Sequence, residues 1–231
     1  MNIAIDGPAG AGKSTIAKKL AADLGYVYVD TGAMYRAMAY YFLQNHIDAS
    51  DEQAIAAACP KVDVTIQYTG GEQQAIQVDI KYDAGEQHVY LNGKNVSKKI
   101  RQEAVGNMAS KVATKQAVRD KLLDLQRNLA ATQDVVMDGR DIGTFVLPNA
   151  ELKIYLTASV DTRADRRYKE LVEKHMPADL EEIKRDIEAR DYQDMHREIA
   201  PLTQAEDAYY LDSSALTIDE VVAEIIRRIP Q

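Results

Sequence analysis

The chain has 231 residues, with 28 Lys+Arg against 36 Asp+Glu and a formal charge of −8 at neutral pH. A hydrophobic fraction of 46% argues against wholesale disorder, and no apolar stretch is long enough to cross a bilayer. The lone Cys59 excludes an internal disulfide framework and a multi-cysteine metal site, and the acidic balance disfavours a general binder of polymeric nucleic acid.

No basic region followed by an apolar core opens the sequence, so no secretory signal is expected and the cytoplasm is the expected location. The apolar run Asn2–Asp6 predicts a strand, followed by a glycine-rich stretch over 7–12. Ile16, Ala17, Leu20, Ala21 and Leu24 then recur at helical spacing until Gly25 stops the helix. A second strand over 26–30 completes a βαβ unit, which predicts a parallel sheet covered by helices. Residues 32–45 predict another helix, and Ser50 with Gln53 reads as the capping box of a third, ended by Pro60.

Residues 62–68, 75–82 and Gln87–Leu91 then alternate apolar and polar side chains. Turn residues Gly70-Gly71, Asp83-Ala84-Gly85 and Asn92-Gly93 separate or follow them, which predicts a small antiparallel meander inserted in an α/β body. Helices are expected over 102–114 and 115–130, and buried strands over 135–138 and 151–157. Charged helices over 161–174 and 179–196 flank a loop containing Pro177. Residues 209–211 form a last strand, and Thr217 with Glu220 caps the terminal helix. The expected organisation is a core over 1–60 and 135–231, with a helical lid over about 160–197 and an inserted domain over 61–134.

Gly7-Pro8-Ala9-Gly10-Ala11-Gly12-Lys13-Ser14 fits G-x-x-x-x-G-K-[ST] and lies between a predicted strand and helix. Glycines there let consecutive N–H groups point at phosphate oxygens, and the following helix adds its positive end. Lys13 is then expected at the β- and γ-phosphates, with the Ser14 hydroxyl on Mg²⁺. Asp30 mimics the ribose-binding acid of a dinucleotide fold, but the glycines do not follow G-x-G-x-x-G order and Lys13-Ser14 has no role in that fold. Asp138 closes an apolar run, which suits either the acid that helps hold Mg²⁺ or a strand-end turn cap.

Arg36 follows the second strand and Arg140 a later one, so both are expected on the rim where ligands bind in this architecture. Two arginines on one rim of an acidic protein favour an anion site over solvated loop charges. Arg190, Asp194 and Arg197 are spaced to share a helix face, and Arg163, Arg166 and Arg167 do the same one helix earlier. A lid bringing guanidiniums to a transferring phosphoryl group is favoured over a passive surface ladder. A kinase for another small acceptor, such as shikimate, stays open on these residues. A GTPase switch is disfavoured, because no guanine-reading Asn-Lys-x-Asp segment occurs.

With Ile5-Asp6-Gly7-Pro8, Asp30-Thr31-Gly32-Ala33-Met34-Tyr35-Arg36, Asp138-Gly139-Arg140-Asp141-Ile142-Gly143-Thr144, Arg190-Asp191 and Ala200-Pro201-Leu202, the chain resembles the bacterial cytidylate kinases from end to end. That resemblance implies a three-layer α/β P-loop NTPase fold with a central parallel sheet, an inserted monophosphate-binding segment containing the meander, and a helical lid. It implies phosphorylation of CMP and dCMP by ATP with Mg²⁺. Small-molecule partners and a monomeric state are expected. By position, Gly7 to Thr15 would hold ATP, and Lys13, Arg140, Arg166 and Arg197 would serve the transfer. Asp30, Thr31, Arg36 and Arg140 would serve the acceptor and its phosphate. Ser110, Arg119 and Asp141 would face the cytosine, Arg190 and Asp194 would lie near the sugar, and Arg197 near phosphate. The meander over 62–91 is longer than the family pattern.

Overall fold

The computed structural model of the chain describes residues 1–68 and 87–230. In chain order the first half has β1 (Asn2–Asp6), α1 (Lys13–Leu24), β2 (Val27–Asp30), α2 (Thr31–Gln44) and α3 (Glu52–Ala58). Strands β3 (Val64–Tyr68), β4 (Gln87–Leu91) and β5 (Lys94–Asn95) follow, then α4 (Glu103–Val112) and α5 (Gln116–Thr132). The second half has β6 (Val135–Gly139), β7 (Leu152–Thr157), α6 (Val160–Glu173), α7 (Leu180–His196), β8 (Tyr209–Asp212) and α8 (Ile218–Ile226). The expected middle strand over 75–82, with its flanking turns, lies outside the described residues.

The chain divides into two compact units, one formed by Met1–Leu20 and Val136–Gln231, the other by Ala21–Val135. In the first, β6, β1, β7 and β8 are successive neighbours in the larger sheet. β1 pairs in parallel with β7 from Ile3↔Leu152 to Asp6↔Tyr155, and β7 with β8 from Ile154↔Tyr209 to Thr157↔Asp212. β6 is buried at every position and β1 from Ile3 onward, as expected of inner parallel strands covered on both faces. In such a sheet, the loops at the carboxyl ends of strands form the ligand edge. α6 and α7 pack on each other through Ala164, Leu171, Ile183 and Ile187, which give this helical pair a small apolar core of its own. The predicted capping box of α8 is present, with the Thr217 and Glu220 side chains each accepting from the other's backbone.

In the second unit the Val27 N–H donates to the Asp134 carbonyl at 2.8 Å. α2 buries Ala33, Met34, Ala37, Met38, Ala39 and Phe42, and packs against α4, whose Val105, Met108, Ala109 and Val112 form its apolar stripe. β3, β4 and β5 form an antiparallel sheet, registered as Val64↔Leu91 and Tyr90↔Asn95. Asn92 and Gly93, with φ of 47° and 74°, make the two-residue turn that returns the chain as β5, a strand the sequence pattern did not reveal. The cap of α3 is also corrected by one residue: Asp51, not Ser50, accepts from Ala54 N–H at 2.9 Å. Ser50 instead donates to Asp48 through both its N–H and its hydroxyl.

Candidate active site

β1 ends at the buried Asp6, and the chain then curls tightly through Gly7 to Gly12 before α1 begins at Lys13. A Cβ on Gly7 would lie 1.9 Å from the Leu156 carbonyl oxygen of β7, so no larger residue fits there. Gly10 and Gly12 adopt φ of 76° and 90°, the left-handed region that side chains disfavour. The first N–H groups of α1 have no partner within the helix, and together with the helix dipole they suit an anion. Lys13 is buried and donates to the Pro8 carbonyl at 2.7 Å. Burial, then the Arg140 charge, push its amine down to about 7 against the opposing pull of Asp138, Asp6 and Asp194.

The Ser14 hydroxyl donates to the buried Asp138 carboxylate at 2.9 Å. This hydroxyl–carboxylate pair supplies hard oxygen donors, the set that Mg²⁺ takes when phosphates and water complete its shell. No group of three or more His, Cys, Asp or Glu residues among the described residues could form an all-protein metal cage. The Ser14–Asp138 pair, at a loop suited to anions, fits a metal that arrives with a phosphate ligand.

Beyond β6 the chain makes a five-residue π turn over Ile142–Val146 with Asp141 at its start. Arg140 just ahead of it donates through Nε to Asp194 at 2.8 Å. Arg197 donates through Nε to the Ala200 carbonyl at 2.7 Å, and its other end lies 3.4 Å from Asp141 Oδ1. Asp6 accepts from the backbone N–H groups of Ile142 and Gly143, at 2.8 and 2.7 Å. Burial, though opposed by these two bonds, raises Asp6 to about 6.

The six lid-candidate residues do not form two uniform faces. Arg163 is buried, donating to the Ala158 carbonyl, to the Ala9 carbonyl inside the phosphate loop at 2.9 Å, and to Asp191 at 2.6 Å. Arg166 also turns inward, donating to the Ser213 carbonyl at 2.8 Å and lying under Gly12. Arg167 points outward to Glu170, so the expected common face of these three is corrected. The reason is the radial spread of a helix: positions 163 and 167 are one turn apart, but only the first meets the loop. On α7, Arg190 is exposed and Asp194 buried, while Arg197 lies just past the helix end.

In the second unit Asp30 caps α2, its Oδ1 accepting from Ala33 N–H at 2.8 Å. The same carboxylate gathers Arg36 at 3.2 Å and Arg101 at 3.5 Å. A Cβ on Gly32 would lie 3.1 Å from the Arg36 guanidinium, so the glycine leaves it room. Arg36 Nε is buried and has no hydrogen-bond partner among the described residues, the condition of a donor awaiting an anion. Thr31 is buried at the first position of α2, Ser110 lies half-buried on α4, and Arg119 is buried on α5. Asp6, Arg101 and Asp191 are site residues that no spacing in the sequence singles out, whereas Arg163, expected on the lid, is found against the phosphate loop. Asp6 and Asp191 lie inside the recognisable motifs beside Gly7 and Arg190, but their partners are distant in sequence.

A family model described as cytidylate kinase matches residues 3–231. A cytidylate kinase of Lactobacillus gasseri is 51% identical over 225 residues, covering 97% of this chain and 92% of that protein. One of Pediococcus pentosaceus is 49% identical over 227 residues, covering 97% and 93%. Among solved structures, an uncharacterised protein from Eubacterium ventriosum aligns over 99% of this chain and 98% of its own with a TM-score of 0.54, a likeness of fold alone at 12% identity.

Proposed function

The chain belongs to the cytidylate kinase family, and from that premise we propose how its residues perform the reaction. The activity is transfer of the ATP γ-phosphoryl group to CMP or dCMP, giving ADP with CDP or dCDP. An oxygen of the acceptor phosphate bonds to the γ-phosphorus as the bridging oxygen to ADP departs. The attacking oxygen is already anionic, so alignment and charge neutralisation take the place of a general base.

The observation that carries the reading is Ser14 Oγ at 2.9 Å from Asp138 Oδ2 at the loop that also presents Lys13. Residues Gly7 to Thr15 hold the triphosphate, with Lys13 on its outer phosphates. Ser14 and Asp138 would hold Mg²⁺, which would supply neutralisation of phosphate charge. Arg140, Arg166 and Arg197 compensate charge that spreads over the transferring group. Arg36 and Arg140 bind the acceptor phosphate, with Asp30 and Thr31 framing Arg36. Support for this comes from the Arg36 Nε, which has no hydrogen-bond partner among the described residues, and from the carboxylates that hold both guanidiniums.

Ser110, Arg119 and Asp141 face the cytosine, and Arg190 and Asp194 the sugar. Cytosine presents a donor at N4 that a carboxylate accepts, whereas uracil presents an acceptor there. Such a mismatch costs about 1–3 kcal/mol, which makes UMP a poor substrate. In this reading 1–60 and 135–231 form the core, 160–197 the lid, and 61–134 the monophosphate-binding insertion. The enzyme works in the cytoplasm as a monomer; no helix among the described residues is long and apolar enough to cross a membrane.

A coupled assay with ATP and Mg²⁺ across CMP, dCMP, UMP and AMP tests the reading. CMP and dCMP are turned over efficiently and UMP about ten- to a hundredfold less so. Equal efficiency with UMP contradicts the base assignment.

A further inference from the structure

Asp141 opens a helical turn that it does not cap. A residue at this place usually accepts, through its side chain, the N–H two or three positions on. Asp141 makes no such bond to its own turn. The task falls to Asp6, whose two carboxylate oxygens take the Ile142 and Gly143 N–H groups at 2.8 and 2.7 Å from 136 residues away in sequence. These are the N–H groups that the start of a helical turn leaves without an internal partner.

The turn is gripped from a second side. A Cβ on Gly143 would meet Lys153 Cδ at 3.1 Å and Asp6 Oδ2 at 3.4 Å. Lys153 is itself fixed, donating to the Pro148 carbonyl at 2.6 Å and to Asp207 at 2.9 Å. Gly143 therefore sits between a carboxylate and an anchored lysine stem, with little room to shift. The Asp141 carboxylate, spared the local capping duty, instead lies 3.4 Å from the Arg197 guanidinium.

We propose that Asp6 is a positioning residue for acceptor recognition: by capping the turn in place of Asp141, it keeps the Asp141 carboxylate turned toward the acceptor's base. This rests on the reading of Asp141 as the base-facing group. The Asp6 carboxylate bonds the Ile142 and Gly143 N–H groups, and it acts through the turn. Without it, the capping role falls back on Asp141 at the start of the turn, and base reading suffers while the phosphate loop stays intact.

The test compares the parent enzyme with Asp6→Ala and Asp6→Asn, measuring kcat and KM for CMP and UMP, and ATP affinity by calorimetry. Losing a cap of this kind corresponds to about a tenfold effect. Asp6→Ala raises the CMP KM about tenfold and lowers the CMP-over-UMP preference by a similar factor, while the ATP Kd stays within about threefold. Asp6→Asn, which keeps one acceptor oxygen, falls between. Folded variants that retain the parent's CMP KM and preference overturn the proposal, and so does an equal loss of ATP and CMP binding. If Asp6→Ala does not fold, Asp6→Asn decides by the same readouts. Failure of both to fold assigns Asp6 to folding alone and also overturns it. A parent enzyme with no CMP preference removes the base reading and the proposal together. A discriminating parent with equally discriminating variants removes the proposal alone.

Discussion

Arg163, buried beside the phosphate loop, holds the Asp191 carboxylate of α7 at 2.6 Å while donating to the Ala9 carbonyl at 2.9 Å. One guanidinium thus fixes both the curl of the loop and the seating of α7. Removing one partner of such a pair strands the other as a buried charge, which costs about 3–5 kcal/mol. Asp191→Ala therefore lowers the urea midpoint strongly with an unchanged m-value, and Asp191→Asn lowers it less. Equal midpoints for parent and Asp191→Ala would show that the pair does not hold this unit together.

Lys13 connects the loop to proton uptake. Its amine is pushed down to about 7 by burial and by Arg140, so at pH 8 the ligand-free amine is largely uncharged. A triphosphate favours the charged form, so ATP binding at pH 8 draws protons from buffer. Calorimetry in two buffers of different ionisation enthalpy will show a difference in observed heat, and Lys13→Met will lose it. The sign for stability follows from the same lowered value. The folded state disfavours protonated Lys13, so the ligand-free parent gains stability as pH rises from about 7 toward 10, a slope missing in Lys13→Met. The Lys13→Met variant also folds but does not transfer phosphate.

Asp6 titrates in the opposite sense. Burial raises it to about 6, so between pH 4 and 6 the folded chain keeps a proton that the unfolded chain has released. Its contribution is therefore largest below pH 4 and is lost as pH rises through about 6. Subtracting the pH–stability curve of Asp6→Asn from that of the parent isolates this falling limb. A difference curve that rises with pH would reverse the assigned shift.

Arg36→Ala weakens acceptor use and leaves the triphosphate site alone. Charge-assisted bonds to phosphate contribute about 1.5–3 kcal/mol, so the CMP KM rises about ten- to a hundredfold while the ATP Kd stays within twofold. Arg101 shares the Asp30 carboxylate but is 57% exposed in its side chain, so Arg101→Ala has the smaller effect. Steady-state kinetics with CMP varied at saturating ATP check both variants, and a parent-like CMP KM in Arg36→Ala contradicts the acceptor assignment.

What could be read from the sequence was what local sterics write into consecutive residues. The curl from Gly7 to Gly12 needs left-handed or side-chain-free backbone, so the loop announces itself, and the alternation over Gln87–Leu91 marks a strand ended by the turn residues Asn92-Gly93. The return strand Lys94–Asn95 is too short to show a period. Ser50 and Asp51 are both good caps, and only the folded chain decides that Ser50 turns back to Asp48. The site's internal supports were hidden for a different reason. Asp6 meets Ile142 and Arg163 meets Ala9 across 136 and 154 residues of chain, and no spacing rule reaches that far. Arg163 and Arg167 look equivalent on a helical wheel; burial beside the loop separates them.

ATP carrying a labelled γ-phosphate, incubated with the enzyme, Mg²⁺ and CMP, tests the central claim most directly. Label recovered in CDP in equal amount to the ADP formed is the expected result. Label released only as inorganic phosphate, at a rate indifferent to CMP, would contradict the account.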